Sequence, residues 1–170
     1  ITGLAVLRDA DTTRLAVLKD DRYAPFSAPP HTGEEAGVYL YELRAGRLID
    51  AGHLPLPRRG ELAALPIAER LLDCDLDGDG RRDLVAGLTG NTGASARERE
   101  PHAAVFRQRP GGGFDRVVLG VHPLACVQLD DDVADELVVR GLGPDAQAVW
   151  ALGVGDTPVP PRVDAAPPAP

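Results

Sequence analysis

The chain contains no methionine, one lysine (Lys19), one tryptophan (Trp150) and two serines, Ser27 and Ser95. Without even an initiator methionine, the expectation is a processed product or a fragment, and no signal-peptide pattern is legible. Neither serine lies in a Gly-x-Ser-x-Gly elbow, so nucleophilic hydrolysis has little to draw on. The four histidines, His31, His53, His102 and His122, are scattered, and no Cys–His spacing marks a zinc site. No apolar run is long enough to cross a bilayer. Positive charge is also short: 18 Lys and Arg stand against 26 Asp and Glu, for a net charge of −8. No basic patch capable of neutralising phosphates is visible, which argues against nucleic acid as a partner.

Hydrophobic residues make up 44% of the 170, enough for one domain with a sizeable core or for part of a larger closed structure. The two cysteines, Cys74 and Cys126, form a disulfide if their strands are neighbours, and are otherwise two buried thiols. The bias to Ala, Gly, Pro and Arg points to a GC-rich genome. The ending, Thr157-Pro-Val-Pro-Pro-Arg-Val-Asp-Ala-Ala-Pro-Pro-Ala-Pro170, reads as an extended tail or linker.

The apolar runs are short, rich in Val, Leu and Ala, and separated by Gly, Pro and Asp, which is the pattern of strands. Strands are expected at 4–7, 14–18, 38–43, 48–54, 70–73, 83–88, 103–107, 114–119, 126–129, 136–140 and 146–152, with a helical turn as the alternative for the start of 61–72. The runs repeat. Gly46-Arg-Leu-Ile-Asp-Ala-Gly-His-Leu-Pro-Leu56 has a counterpart in 113–124, and an offset of 68 places Gly52 on Gly120, Asp9 on Asp77 and Asp11 on Asp79. An offset of 53 lays 128–138 over 75–85. The chain therefore reads as an all-β protein, an incomplete ring of about three four-stranded antiparallel blades. The units are about 1–68, 69–123 and 124–156, followed by the proline-rich tail 157–170. Val38, Leu40, Ala148 and Trp150 are expected on the exposed end faces, although Trp150 alone reads as core rather than a sugar platform. His53 and His122 fall at near-equivalent places and read as packing or turn residues.

One stretch, Asp75-Leu-Asp-Gly-Asp-Gly-Arg-Arg-Asp-Leu-Val85, crowds four carboxylates together. Unit charges a few ångströms apart cost on the order of 1 kcal/mol or more per pair even in part-screened surroundings, so a cation is expected between them. Calcium takes oxygen ligands in a flexible shell that alternate residues of a tight loop can supply. Asp75, Asp77, Asp79 and Asp83 offer side-chain oxygens and Arg81 its backbone carbonyl, while Gly78 and Gly80 permit the sharp turn. An EF-hand requires Glu at the twelfth position, where Ala86 stands, and a strand follows instead of a helix. In the third unit Gln128, Asp130, Asp132 and Glu136 hold the ligand positions without the glycines; in the first, only Asp9 and Asp11 remain. Metal is expected at the second loop and not at the other two.

This loop, followed by a strand and recurring in blade-sized units, resembles the FG-GAP/VCBS repeats of integrin-α-type β-propellers, although no Phe-Gly…Gly-Ala-Pro signature is present. The opening Ile1-Thr-Gly-Leu-Ala-Val-Leu is also similar to the first strand of esterase-like phytase propellers. The first resemblance implies calcium between the first two strands of a blade. It also implies an extracellular, cell-surface or periplasmic setting, as in a secreted bacterial protein, and a non-enzymatic role in adhesion, assembly or ligand binding. The second implies a hydrolase that uses bound calcium. Expected partners are a protein or carbohydrate ligand, or further blades from the same or another chain. The long connections 20–37 (Tyr23, Phe26, His31) and 88–101 (Arg97, Arg99) are expected to bind at the end opposite the calcium loops.

Overall fold

The computed structural model describes residues 1–8, 12–19, 36–57, 65–91, 101–140 and 149–152. Among the described residues eleven strands form and there is no helix. The first sheet is β1 (Gly3–Arg8), β2 (Thr13–Lys19), β3 (Gly37–Arg44) and β4 (Arg47–Pro55). The middle sheet is β5 (Leu65–Cys74), β6 (Asp83–Asn91), β7 (Pro101–Gln108) and β8 (Phe114–Leu119). The third is β9 (His122–Val127), β10 (Glu136–Arg140) and β11 (Val149–Leu152). Each sheet is an antiparallel meander in chain order, blade-like in form, and the three do not close into a ring.

The middle sheet is covered on both faces, and its sequence shows why. Leu84, Ala86, Leu88, Ala104 and Phe106 join Ala5, Leu7, Ala16, Leu18, Val38 and Leu40 in one core. The intervening Val85, Ala103 and Val105 point the other way and join Leu137 and Val139 in a second core. Side chains alternate faces along a strand, so a strand buried on both sides must be apolar at every position, as Leu-Val-Ala-Gly-Leu is. Gly3 lets β1 approach β5: a Cβ there would lie 2.7 Å from the Cβ of Leu71.

Particular strand pairs recur at the two offsets. Leu4 pairs with Val17 and, 68 residues on, Leu72 pairs with Val85. Cys74 pairs with Asp83 and, 53 residues on, Val127 pairs with Glu136. Gly52 and Gly120 are not such a pair, since Gly52 lies within β4 while Gly120 follows the end of β8. Likewise His53 lies inside β4, its ring 4.4 Å from that of Tyr39, whereas His122 opens β9 opposite Arg140.

Three expectations are corrected. From Leu65 onward the stretch for which a helical turn is the alternative is strand β5, because Leu65, Pro66, Ile67 and Ala68 already pair with β6; 61–64 lie outside the described residues. The ninth strand begins at His122, not 126, and includes Pro123, which is tolerated because β9 is an edge strand. Val38 and Leu40 are buried toward the middle sheet, not exposed; the open face of the first sheet carries Leu4 and Val6 instead, 60% and 47% exposed. A shift of one residue exchanges the faces of a strand. Asp9, Asp11, Ser27, Ser95, Ala148, most of both long connections, the tail 157–170 and the Trp150 side chain lie outside what is described.

Candidate metal centre

β5 ends at Cys74 and β6 begins at Asp83, so 75–82 must reverse the chain between two paired residues. Gly78 and Gly80 make this possible with φ of 69° and 81°, in the left-handed region that favours glycine. The reversal brings oxygens of Asp75, Asp77 and Asp79 within 4.8 Å of one another. Asp75 is half-buried and its carboxylate accepts the backbone N–H of Asp79 (3.1 Å) and of Gly80 (2.9 Å). Asp79 accepts the N–H of Arg81 at 2.8 Å and pairs with the Arg81 guanidinium, whose Nε also donates to the Gln108 carbonyl at 3.4 Å. The Arg81 side chain is thus a positive charge already present in the cluster, one that a metal ion would have to displace from Asp79.

Asp83 lies beneath the loop rather than among the three converging carboxylates. It is 1% exposed, and its two oxygens accept the N–H of Gln108 (2.8 Å) and of Leu76 (3.2 Å). It therefore ties the start of the loop to the end of β7. Burial pushes its carboxyl above the usual aspartate range and the nearby charge of Asp77 adds to this, while the two N–H donors and Arg107 pull it back down.

The third loop brings its own group together: Asp130, Asp132 and Glu136 have oxygens within 4.8 Å of one another, with Glu136 buried. Its hydrogen bonds copy those of the second loop at an offset of 53. Leu129 N–H donates to Glu136 as Leu76 N–H does to Asp83, and Ala134 N–H to Asp132 as Arg81 N–H does to Asp79. The loss of both glycines does not prevent the turn, because no residue of 128–135 has positive φ. Gln128 turns its amide to the Asp132 carbonyl. Two acidic groups able to hold a metal ion are therefore present, one more than the expectation of metal only at the second loop. Asp9 and Asp11 of the first loop lie outside the described residues.

The two loops touch, which sequence reasoning missed. Asp135 N–H donates to the Asp75 carbonyl at 2.7 Å, and Asp75 N–H donates to Asp135 Oδ2 at 2.8 Å. The same Oδ2 accepts Arg82 Nη1 at 3.0 Å, and Arg82 Nη2 reaches the Asp73 carbonyl at 2.8 Å. One signal was available: the offset of 53 places Asp135 on Arg82, so equivalent positions of neighbouring units carry opposite charges. Beside the clamp, Cys74 and Cys126 form a disulfide with Cα atoms 5.7 Å apart. No protein-family model, curated protein or solved structure matches this chain.

A separate cleft of about 420 Å³ opens between β3, β4 and the start of β8, lined by Arg14, Glu42, Arg44, Asp50 and Phe114 among others. Glu42 and Arg44 pair with each other at 2.7 Å, and none of the clustered loop carboxylates lines it. No helix among the described residues is long and apolar enough to cross a membrane.

Proposed function

We propose that the chain is a calcium-stabilised segment of an extracellular β-propeller of the FG-GAP/VCBS kind, serving adhesion, assembly or ligand binding rather than catalysis. The observation that carries this reading is the convergence of Asp75, Asp77 and Asp79 around a turn built on Gly78 and Gly80, between the first two strands of a blade-like sheet. An all-carboxylate donor set suits a hard cation, and calcium, with its tolerant geometry, suits an irregular loop. Asp75, Asp77 and Asp79 supply charged oxygens and Arg81 its carbonyl. Asp83 supports them from beneath by tying Leu76 to Gln108. The disulfide is compatible with an oxidising compartment outside the cytosol.

The test is calorimetry with calcium on the wild type and on Asp77→Ala, an exposed ligand whose carboxylate makes no hydrogen bond among the described residues. Binding is expected in the weak extracellular range, with Kd roughly 10⁻⁴–10⁻³ M, and the heat should vanish in the variant. Equal binding by both chains would show the site to be misplaced.

A second reading is a phytase-like hydrolase using bound calcium. The second acidic group at Asp130, Asp132 and Glu136, in a loop clamped to the first, is the observation that favours it. Calcium-dependent release of p-nitrophenol from its phosphate ester, abolished by Asp77→Ala, would establish that reading over the first.

A further inference from the structure

The second loop does not hold its own first ligand unaided. Asp75 is the half-buried member of the carboxylate group, and its carboxylate orders the turn by accepting the N–H groups of Asp79 and Gly80. Its backbone N–H and C=O, however, are both engaged by one residue of the third unit, Asp135. That residue is fixed in turn by Arg82, which lies immediately before Asp83 and also grips Asp73 through its carbonyl and carboxylate. Val133, on the same third loop, sits against the turn: a Cβ on Gly78 would come within 2.6 Å of Val133 Cγ2. The Cys74–Cys126 bond holds the residue before Asp75 to the third sheet as well.

From this arrangement we infer that Asp135 is a positioning residue for calcium at Asp75, Asp77 and Asp79, so that metal occupancy of the second unit and seating of the third sheet are thermodynamically linked. The inference rests on the calcium reading above. Binding requires the Asp75 backbone at a fixed height and orientation, because its carboxylate must face Asp77 and Asp79 while still capping the turn. Asp135 sets both by holding the peptide groups on either side of the Asp75 Cα. Linkage runs both ways: whatever seats the third loop favours the metal, and the metal must favour seating of the third loop by the same factor.

Two measurements on the full 170-residue chain test this. The first is calcium affinity by calorimetry for wild type, Asp135→Ala and Asp131→Ala, with the stability of each chain in chelator measured alongside. Asp131 is exposed on the same loop, so its removal changes the local charge equally without touching the clamp. Outer-shell partners of metal ligands typically govern 10- to 100-fold in affinity, and Asp135→Ala is expected to weaken calcium by about tenfold while Asp131→Ala changes it by less than about twofold. A residue that matters only for folding would lower stability in chelator and leave the affinity of the folded chain alone. The second measurement needs no variant: amide exchange of the wild type with and without calcium. Calcium is expected to slow exchange in β9 and β10 as well as in 75–83. If wild type gives no calcium heat, the metal site itself is wrong and the inference falls with it. If wild type binds but Asp135→Ala binds equally well, or protection stops at residue 83, the positioning role alone is overturned.

Discussion

At the residue scale, the turn at 75–82 is shaped by residues close in sequence. Carboxylates at alternate positions with glycines between them define a loop whose φ values and convergent oxygens follow from local sterics. Asp135, Arg82 and the real position of Asp83 were not readable, since each depends on which sheet lies alongside. His122 illustrates the same limit. The sequence marks it as a packing or turn residue, and the structure places it at the start of β9 opposite Arg140, with its protonation resisted first by burial, then by Arg70 and Arg140, and only partly favoured by Glu69. Its folded pKa is therefore below the ordinary 6.5. In the window between the lowered value and 6.5 the unfolded chain binds more protons than the native one, so stability falls as pH falls through that window and is flat above it. Urea midpoints from pH 7.5 downward should show this decline in the wild type and a shallower one in His122→Gln. Parallel curves would mean that His122 is as easily charged in the fold as out of it.

At the element scale, strand existence was legible and strand pairing between units was not. Apolar runs and turn residues mark β6 and β7 clearly, because both faces of the middle sheet are buried there and the stretches Leu84–Leu88 and Ala103–Phe106 carry no polar side chain. Pro123 concealed the start of β9, since a proline argues against a central strand and the sequence does not say which strands are edges. The sequence leaves the pairing of the cysteines open for a related reason: residues 52 apart meet only if the edges of two sheets are adjacent. They do meet, and the bond joins β5 to β9 across a loop long enough to matter. Closing a loop of that length restricts the unfolded chain by about 4 kcal/mol at 25 °C in the chain-entropy account, with measured values often smaller. Cys74→Ser with Cys126→Ser should thus lower the unfolding free energy by about 2–4 kcal/mol in urea titrations, provided the wild type is kept oxidised. A loss under about 0.5 kcal/mol would indicate that the apolar contacts and the Asp135 clamp hold the third sheet without the disulfide.

At the scale of the whole molecule, the three meanders leave one conspicuous apolar face. On the side of the first sheet away from the core, strand pairing lines up Leu4, Val17, Tyr39 and His53 in one row and Val6, Leu15, Tyr41 and Asp50 in the next. Lys19 lies over the Tyr39 ring at 4.2 Å, the kind of cover that long side chains give to aromatic surface. Leu4 and Val6 nevertheless remain open. The equivalent face in the middle sheet, where Leu72 pairs with Val85 as Leu4 does with Val17, is covered by the third sheet. The third sheet itself has three strands among the described residues, with β11 at one edge of that set. An uncovered apolar face is a surface for association. The 170-residue chain, 17.9 kDa as a monomer, should therefore self-associate at micromolar concentration unless further sheets are supplied. Light scattering of the wild type beside Leu4→Glu with Val6→Glu separates the cases, because charge on those two exposed positions should restore a monomer without disturbing the core. A wild-type chain that stays monomeric and unfolds cooperatively would mean that the open face is tolerated as it stands, and that the three sheets need no further blade.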